Sequence, residues 1–172
     1  EYAARHANKL GVTGLLIADT NFGMFPRDKS ICEVLLGTQK KYGWPINIQA
    51  TTGKNNKERV IDITGILGNT FDVTMSVQSM DDGVLKNINR SNIKLDDYME
   101  INRHLREEGR ATTGEIILGL PSETKESFIS GIEKVVSAGV STVTIYSLML
   151  LYGTQFQDPA YRDKYEYDGR FR

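Results

Sequence analysis

Short apolar runs alternate with longer amphipathic segments along most of the chain, and no other sequence feature constrains the fold as strongly. Each run has four or five residues, which is too short for a stable helix and typical of a buried β-strand. The predicted strands cover residues 14–18, 46–50, 71–75, 114–118 and 143–146. A chain with this pattern folds around a sheet whose strands are joined by helices.

The segments between the runs carry the signals of helices. Pro26 is favoured in the first turn of a helix and Gly43 just after the last turn, so one helix lies between them. Two more are predicted over 82–89 and 96–109. The apolar positions at helical spacing that mark buried helix faces are Val60, Ile63 and Leu67, then Tyr98, Ile101 and Leu105, and finally Phe128, Ile132, Val135 and Val136.

Strands separated by helices pair in parallel through right-handed crossovers, which predicts the α/β class. Two closures fit this pattern: an open doubly wound sheet and part of a βα barrel. A complete eight-fold barrel takes about 250 residues, so a chain of 172 residues holds only part of one. We predict a single domain over 1–172, with an irregular C-terminal extension over 155–172.

Composition argues against several classes of function. Hydrophobic residues make up 40% and charged residues 25%, which is typical of a globular domain. The net charge of −1 supplies no field for a nucleic-acid backbone, and no apolar run approaches the roughly 20 residues that span a bilayer. Cys32 is the only cysteine, which rules out a disulfide framework, a zinc knuckle or a self-contained iron–sulfur site within this chain. We predict a structural thiol that is buried or half-buried, no nucleic-acid binding and no membrane span.

Polar residues follow or interrupt the predicted strands, at the end where parallel βα folds bind ligands. Those that directly follow the first three strands are Asp19, Asn21, the run 51–56 and Ser76. Helix caps and turns use the same residue types, so each position alone also has a purely structural interpretation. Gln78 and Glu115 fit that interpretation poorly, because a carboxylate in a strand covered on both faces is costly without a partner.

Four segments, in order along the chain, resemble the radical S-adenosylmethionine (SAM) superfamily. They are residues 17–23, 76–81, 85–90 and 115–124, the last reading Glu-Ile-Ile-Leu-Gly-Leu-Pro-Ser-Glu-Thr. The resemblance extends from about residue 10 to residue 153 and is nearest to the branch whose members often carry a cobalamin-binding domain. It implies a (β/α)6 partial TIM barrel, with about five strands present when the first strand precedes residue 1.

The resemblance also implies a [4Fe–4S] cluster, which the superfamily holds with a Cys-x3-Cys-x2-Cys loop after the first strand. This chain has no such loop. It starts with Glu1 and its first residues read as the middle of a helix, so we expect the sequence to begin just after the loop. A degenerate protein without the cluster is the alternative.

Ten residues are candidates for binding SAM. Each either matches a position at which the superfamily binds SAM or carries a polar group in the same place. Asp19 and Asn21 match the loop that contacts the methionine amino group, although they replace the family's Gly-Gly-Glu. Ser76 and Gln78 match residues that contact the ribose or the methionine. Arg90 either pairs with the methionine carboxylate or lies exposed at a helix end.

The remaining matches surround the adenine. Gly119 and Leu120 match part of the family's Gly-x-Ile-x-Gly-x-x-Glu pattern. This chain departs from the pattern at two positions: Glu115 replaces the first glycine, and the glutamate falls one position late. Tyr146 and Leu148 lie where the family supports the adenine from the last strand.

The resemblance implies the SAM-binding barrel core of a radical SAM enzyme. In the full-length protein a reduced [4Fe–4S] cluster would cleave SAM to methionine and a 5′-deoxyadenosyl radical, with cobalamin on a separate domain as a further cofactor. We expect the isolated chain to bind no cluster and to have no turnover; its substrate and catalytic residues stay unassigned. We also expect a cytoplasmic protein whose partners are SAM, a substrate and neighbouring N- and C-terminal segments of the same polypeptide.

Three alternatives stay open at this point. A degenerate barrel would act as a non-catalytic binding or scaffold module. A βα-barrel enzyme of another class, such as an aldolase, would need a lysine at a strand end, and the nearest is Lys54 in a loop. A tRNA-modifying radical SAM enzyme would bring an appended basic domain.

Overall fold

Helices and strands alternate through residues 1–52 and 57–169, the part of the chain that the computed structural model describes. The run 53–56, with Lys54, and the last residues, 170–172, lie outside the described residues. The elements in chain order are α1 (Tyr2–Leu10), β1 (Gly14–Leu16), α2 (Pro26–Tyr42), β2 (Asn47–Thr51), α3 (Lys57–Leu67), β3 (Phe71–Gln78), α4 (Asp82–Asn87), α5 (Leu95–Glu107), β4 (Thr112–Leu118), α6 (Lys125–Ser137), β5 (Thr142–Ser147) and α7 (Pro159–Lys164).

The strands form one parallel sheet in the order β1-β2-β3-β4-β5, so each strand pairs with its neighbour in sequence. A doubly wound sheet reverses its strand order at a switch point, and this sheet does not. Sequential parallel order is that of a barrel wall. The predicted α/β class with five parallel strands is therefore confirmed, and the strand order selects the barrel alternative.

The helices pack on one face of the sheet, which we call the helix face. Side chains alternate between the two faces along a strand, and every second residue of β3, from Phe71 to Val77, is buried. The helix residues that complete this core are Val60, Ile63, Leu67, Tyr98, Ile101, Leu105 and Val135. The apolar spacing that predicts the helices therefore also identifies the sides that they bury.

The opposite face, which we call the open face, is lined with polar side chains. Its residues on β2 to β5 are Gln49, Thr51, Asp72, Thr74, Ser76, Thr113, Glu115, Ile117, Thr142, Thr144 and Tyr146. Each is half-buried or exposed among the described residues. Among the described residues, the helices that form the core cover the other face of the strand that carries Glu115, so within this chain the carboxylate is half-buried.

Two differences from the predictions affect candidate site or core residues. β3 extends to Gln78 instead of ending at residue 75, so Ser76 and Gln78 lie inside the strand and not after it. In α6 the predicted stripe includes Val136, but this side chain is 57% exposed while Val135 is fully buried. Neighbouring residues on a helix point about 100° apart, so only one of the two valines can face the sheet.

The C-terminal extension, predicted to be irregular, contains a 3₁₀ turn at Gln155–Gln157 and the short helix α7. The side chain of Asp158 accepts a hydrogen bond from the backbone N–H of Ala160 at 2.9 Å, and Pro159 occupies the first turn. An Asp cap followed by Pro is a strong helix start, which the aromatic and charged composition of the tail obscured.

Close packing of α5 and α6 against β4 requires a glycine at position 114. A Cβ atom built there would lie 2.7 Å from the Tyr98 hydroxyl oxygen and 2.9 Å from Val135 Cγ1. Both neighbours are fully buried in the core. The missing side chain is therefore what lets the two helices approach the centre of the sheet.

We predict that Gly114→Ala lowers the free energy of unfolding by about 1–3 kcal/mol, the usual effect of overpacking a close-packed core. Denaturant unfolding followed by circular dichroism measures it. Gly37→Ala in α2 is the matched control, because its added Cβ meets nothing within 4 Å; there the stability should rise by about 0.5–1 kcal/mol. Equal effects of the two substitutions would contradict this account of the packing.

Cys32 lies fully buried in α2, as predicted. Burial, with a smaller contribution from the charge of Asp28, raises the pKa of the Cys32 thiol to about 11. At pH 8 only about one thiol in a thousand is then ionised, against roughly a quarter for an ordinary cysteine. We expect Ellman's reagent to react at least about 100-fold more slowly with the native protein than with the urea-unfolded protein. Rapid labelling of the native protein would show that the thiol is accessible.

Candidate functional site

A hydrogen-bonded group joins three strands on the open face. Register places Ser76 of β3 opposite Glu115 of β4, and Glu115 opposite Thr144 of β5. The Ser76 hydroxyl donates to Glu115 Oε2, and the Tyr146 hydroxyl donates to Glu115 Oε1 at 3.4 Å. Neighbouring strands thus hold both oxygens of one half-buried carboxylate, which fixes its orientation while leaving it accessible.

A second contact lies where β3 ends. Gln78 has a φ of 57° and lies at an irregularity in the pairing of β3 with β4. The Arg90 guanidinium donates from Nη1 to Gln78 Oε1 at 2.7 Å, and the Arg90 backbone N–H donates to the carbonyl of Leu85 at 2.9 Å. The structure therefore brings these two predicted residues together and directs the arginine head toward the end of β3.

The loop after β1 contains a tight turn. Asp19 Oδ1 accepts a hydrogen bond from the backbone N–H of Asn21 at 2.8 Å, and Asn21 Nδ2 donates to the Thr20 hydroxyl at 3.1 Å. This is the local geometry that makes Asp and Asn common in turns. Asp19 is half-buried and Asn21 is exposed, so both predicted residues face the surface at the carboxyl end of β1.

The segment after β4 is held by groups from within the chain. Glu123 Oε2 accepts hydrogen bonds from the backbone N–H groups of Gly119 at 2.9 Å and Leu120 at 3.4 Å. The Tyr167 hydroxyl donates to the Gly119 carbonyl at 2.8 Å. Burial raises the pKa of the Glu123 carboxyl, and the two backbone donors oppose that shift. The backbone N–H groups of Gly119 and Leu120 are thus engaged by Glu123, while the Leu120 side chain is buried.

The last predicted residue, Leu148, follows β5 directly. Its backbone N–H donates to the carbonyl of Leu118 at 3.0 Å, and its side chain is half-buried. This bond continues the pairing of β4 with β5 by one residue and keeps Leu148 beside the end of β4.

The structure reveals functional candidates that sequence reasoning missed. The first is a row of four threonines, one from each of β2 to β5, namely Thr51, Thr74, Thr113 and Thr142. A threonine inside or directly beside each of these predicted strands was the available signal, but only the register shows that the four are neighbours. The second is Asp28, whose side chain is 1% exposed; an acid in the first turn of a helix was its only signal.

The described residues contain no set of side chains that could ligate a metal ion or an iron–sulfur cluster. No group of three or more His, Cys, Asp or Glu side chains lies together in residues 1–52 and 57–169. The thiol of Cys32 lies on the helix side of the sheet, away from the open face. In the same part of the chain, no helix is long and apolar enough to cross a membrane.

No protein-family model matches the chain, but two curated proteins do. It is 35% identical over 169 residues to the cobalamin-dependent radical SAM methyltransferase TokK of Streptomyces tokunonensis, covering 96% of this chain and 24% of that protein. It is 32% identical over 163 residues to the 2-(S-pantetheinyl)-carbapenam-3-carboxylate methyltransferase of Streptantibioticus cattleyicolor, covering 92% of this chain and 23% of that protein. The chain thus spans about a quarter of the length of these relatives.

Solved structures share the fold at lower identity. The radical SAM methyltransferase TsrM of Kitasatospora setae, with cobalamin and a [4Fe–4S] cluster bound, matches with a TM-score of 0.69 at 14% identity, over 85% of this chain and 28% of that one. Coproporphyrinogen III oxidase (HemN) of Escherichia coli, a radical SAM enzyme, matches with a TM-score of 0.67 at 17% identity, over 95% and 36%. The curated relatives and the shared fold confirm the predicted resemblance to the radical SAM superfamily, which includes cobalamin-dependent methyltransferases.

Proposed function

We propose that this chain is the SAM-binding part of the barrel in a cobalamin-dependent radical SAM methyltransferase. The observation that carries the proposal is the Ser76–Glu115–Tyr146 group, which lies on the open face toward the carboxyl ends of β3 to β5. Ligands of parallel βα folds bind at these ends. The 35% identity to a radical SAM methyltransferase, over nearly the whole chain, supports the same assignment.

The Glu115 group suits the adenosyl part of SAM. A carboxylate has about four acceptor positions, and the contacts from Ser76 and Tyr146 use one on each oxygen. In the proposed complex the remaining positions accept hydrogen bonds from the two ribose hydroxyls. The exposed ring of Tyr146, with Leu148 beside it, supports the adenine.

The methionine part of SAM carries an ammonium and a carboxylate, and the chain offers a partner for each. Arg90 matches a carboxylate through its planar fork of N–H donors, of which Nη1 contacts Gln78. An ammonium needs acceptors, which Asp19 and the carbonyls of its turn supply. We propose that these residues orient the two ends of SAM across the open face.

A reduced [4Fe–4S] cluster, when bound to a radical SAM enzyme, supplies the electron that cleaves SAM, and cobalamin supplies a cobalt methyl carrier. The described residues contain no ligand set for the cluster. This chain's proposed contribution is to bind and orient SAM and to limit the access of water to it. By analogy with the relatives, the full-length protein would transfer a methyl group from SAM to a small-molecule substrate.

We predict that Glu115→Ala weakens SAM binding by about 10-fold or more in the full-length protein, the usual loss for hydrogen bonds to a charged acceptor. Anaerobic equilibrium dialysis with labelled SAM measures the dissociation constant. Glu115→Gln keeps one acceptor oxygen and should lose less.

Asp72→Ala provides the matched control, because Asp72 is an acid on the same face of β3. It contacts Asn47 at 2.5 Å near the amino ends of the strands, away from the proposed site. SAM binding should be unchanged in this variant. A full-length protein that does not bind SAM would contradict the proposal and favour a non-catalytic scaffold. A Glu115→Ala variant that binds SAM as tightly as the parent would contradict the role proposed for Glu115.

A further inference from the structure

Three consecutive residues of the loop between β1 and α2 are held by side chains from the helices below. Asp28 Oδ2, on α2, accepts hydrogen bonds from the backbone N–H groups of Gly23 at 2.8 Å and Phe25 at 3.0 Å. Arg59, on α3, donates from Nη1 to the carbonyl of Met24. We call Asp28 and Arg59 the loop clamp.

The Asp28 carboxylate is unusual because it is almost completely buried. Its side chain is 1% exposed, and Arg27 Nε lies 3.8 Å from Oδ1 on a side chain that is 70% exposed. A buried carboxylate is costly unless its hydrogen bonds are made. The two backbone donors of the loop are therefore what stabilises Asp28 in this position, and Asp28 in turn fixes the loop.

Backbone hydrogen bonds to β2 also hold the first part of the loop between β1 and α2. The backbone N–H of Ile17 donates to the Gln49 carbonyl at 2.9 Å, and that of Phe22 donates to the Thr51 carbonyl at 3.1 Å. Gly23 has a φ of 94°, and a Cβ atom there would lie 2.5 Å from Ile63 Cδ1. The Asp19–Asn21 turn lies between the two attachments to β2. The backbone N–H of Met24 donates to the carbonyl of Asn21 at 3.1 Å, so the turn is also linked to the residues that Asp28 holds.

We propose that Asp28 is a positioning residue for the amino-acid end of SAM. This inference rests on the proposed function. Asp28 does not touch the ligand; it holds residues 23–25 so that Asp19 and the carbonyls of its turn face the ligand ammonium. Loss of the clamp should therefore weaken recognition of the amino-acid part and leave recognition of the adenosyl part unchanged, because the Glu115 group lies on other strands.

The test compares two probes in the full-length protein with its cofactors loaded: SAM, and 5′-methylthioadenosine, which has the adenosyl group but no amino-acid part. Asp28→Ala should weaken SAM binding by about 10-fold, on the scale of hydrogen bonds to a charged group, while 5′-methylthioadenosine binds as it does to the parent. Asp28→Asn keeps an oxygen that can accept from both loop N–H groups, so it should restore most of the affinity for SAM.

Asp62→Ala is the matched control, since Asp62 is an exposed acid on α3 near the same loop; both affinities should be unchanged. If Asp28→Ala does not fold, Asp28→Asn carries the same comparison, with a smaller fall confined to SAM. Equal weakening of both probes, or no change in SAM binding, would overturn the positioning role while the proposed function stands. A parent protein that binds neither probe would overturn the proposed function and this inference with it.

Discussion

Burial of only one face of the parallel sheet is the constraint on which the rest of the structure depends. Apolar side chains such as Val73 and Met75 alternate along β3 and are fully covered by helices, and burying apolar surface is the main favourable contribution to folding. Parallel sheets are usually covered on both faces. Because the helices leave the open face uncovered, Glu115 and the threonines can occupy it without the cost of burying polar groups.

The register of the strands turns that open face into a site. Parallel pairing places side chains from neighbouring strands side by side, so Ser76, Glu115 and Tyr146 meet although they lie far apart in sequence. None of these contacts requires an unusual backbone. The proposed SAM site thus rests on a regular sheet with polar side chains at neighbouring positions. At the edge of this site the backbone is irregular at Gln78, whose side chain contacts Arg90.

The loops depend on the helices beneath them. Asp28 hydrogen-bonds to the loop after β1, and Glu123 hydrogen-bonds in the same way to the backbone N–H groups after β4. In both places an acid near the start of a helix organises the loop that precedes it, where the helix dipole also favours negative charge.

Local spacing along the sequence was sufficient to predict the strands and most of the helices, their parallel arrangement and the limits of α2 at Pro26 and Gly43, because periodicity and capping act over a few residues. It also located the polar residues at the strand ends. Only the tertiary structure decided that the strands run in sequential order, that one face stays open, and that Asp28 fixes a loop. Strand register and helix placement are set by contacts between distant residues, which no local pattern encodes.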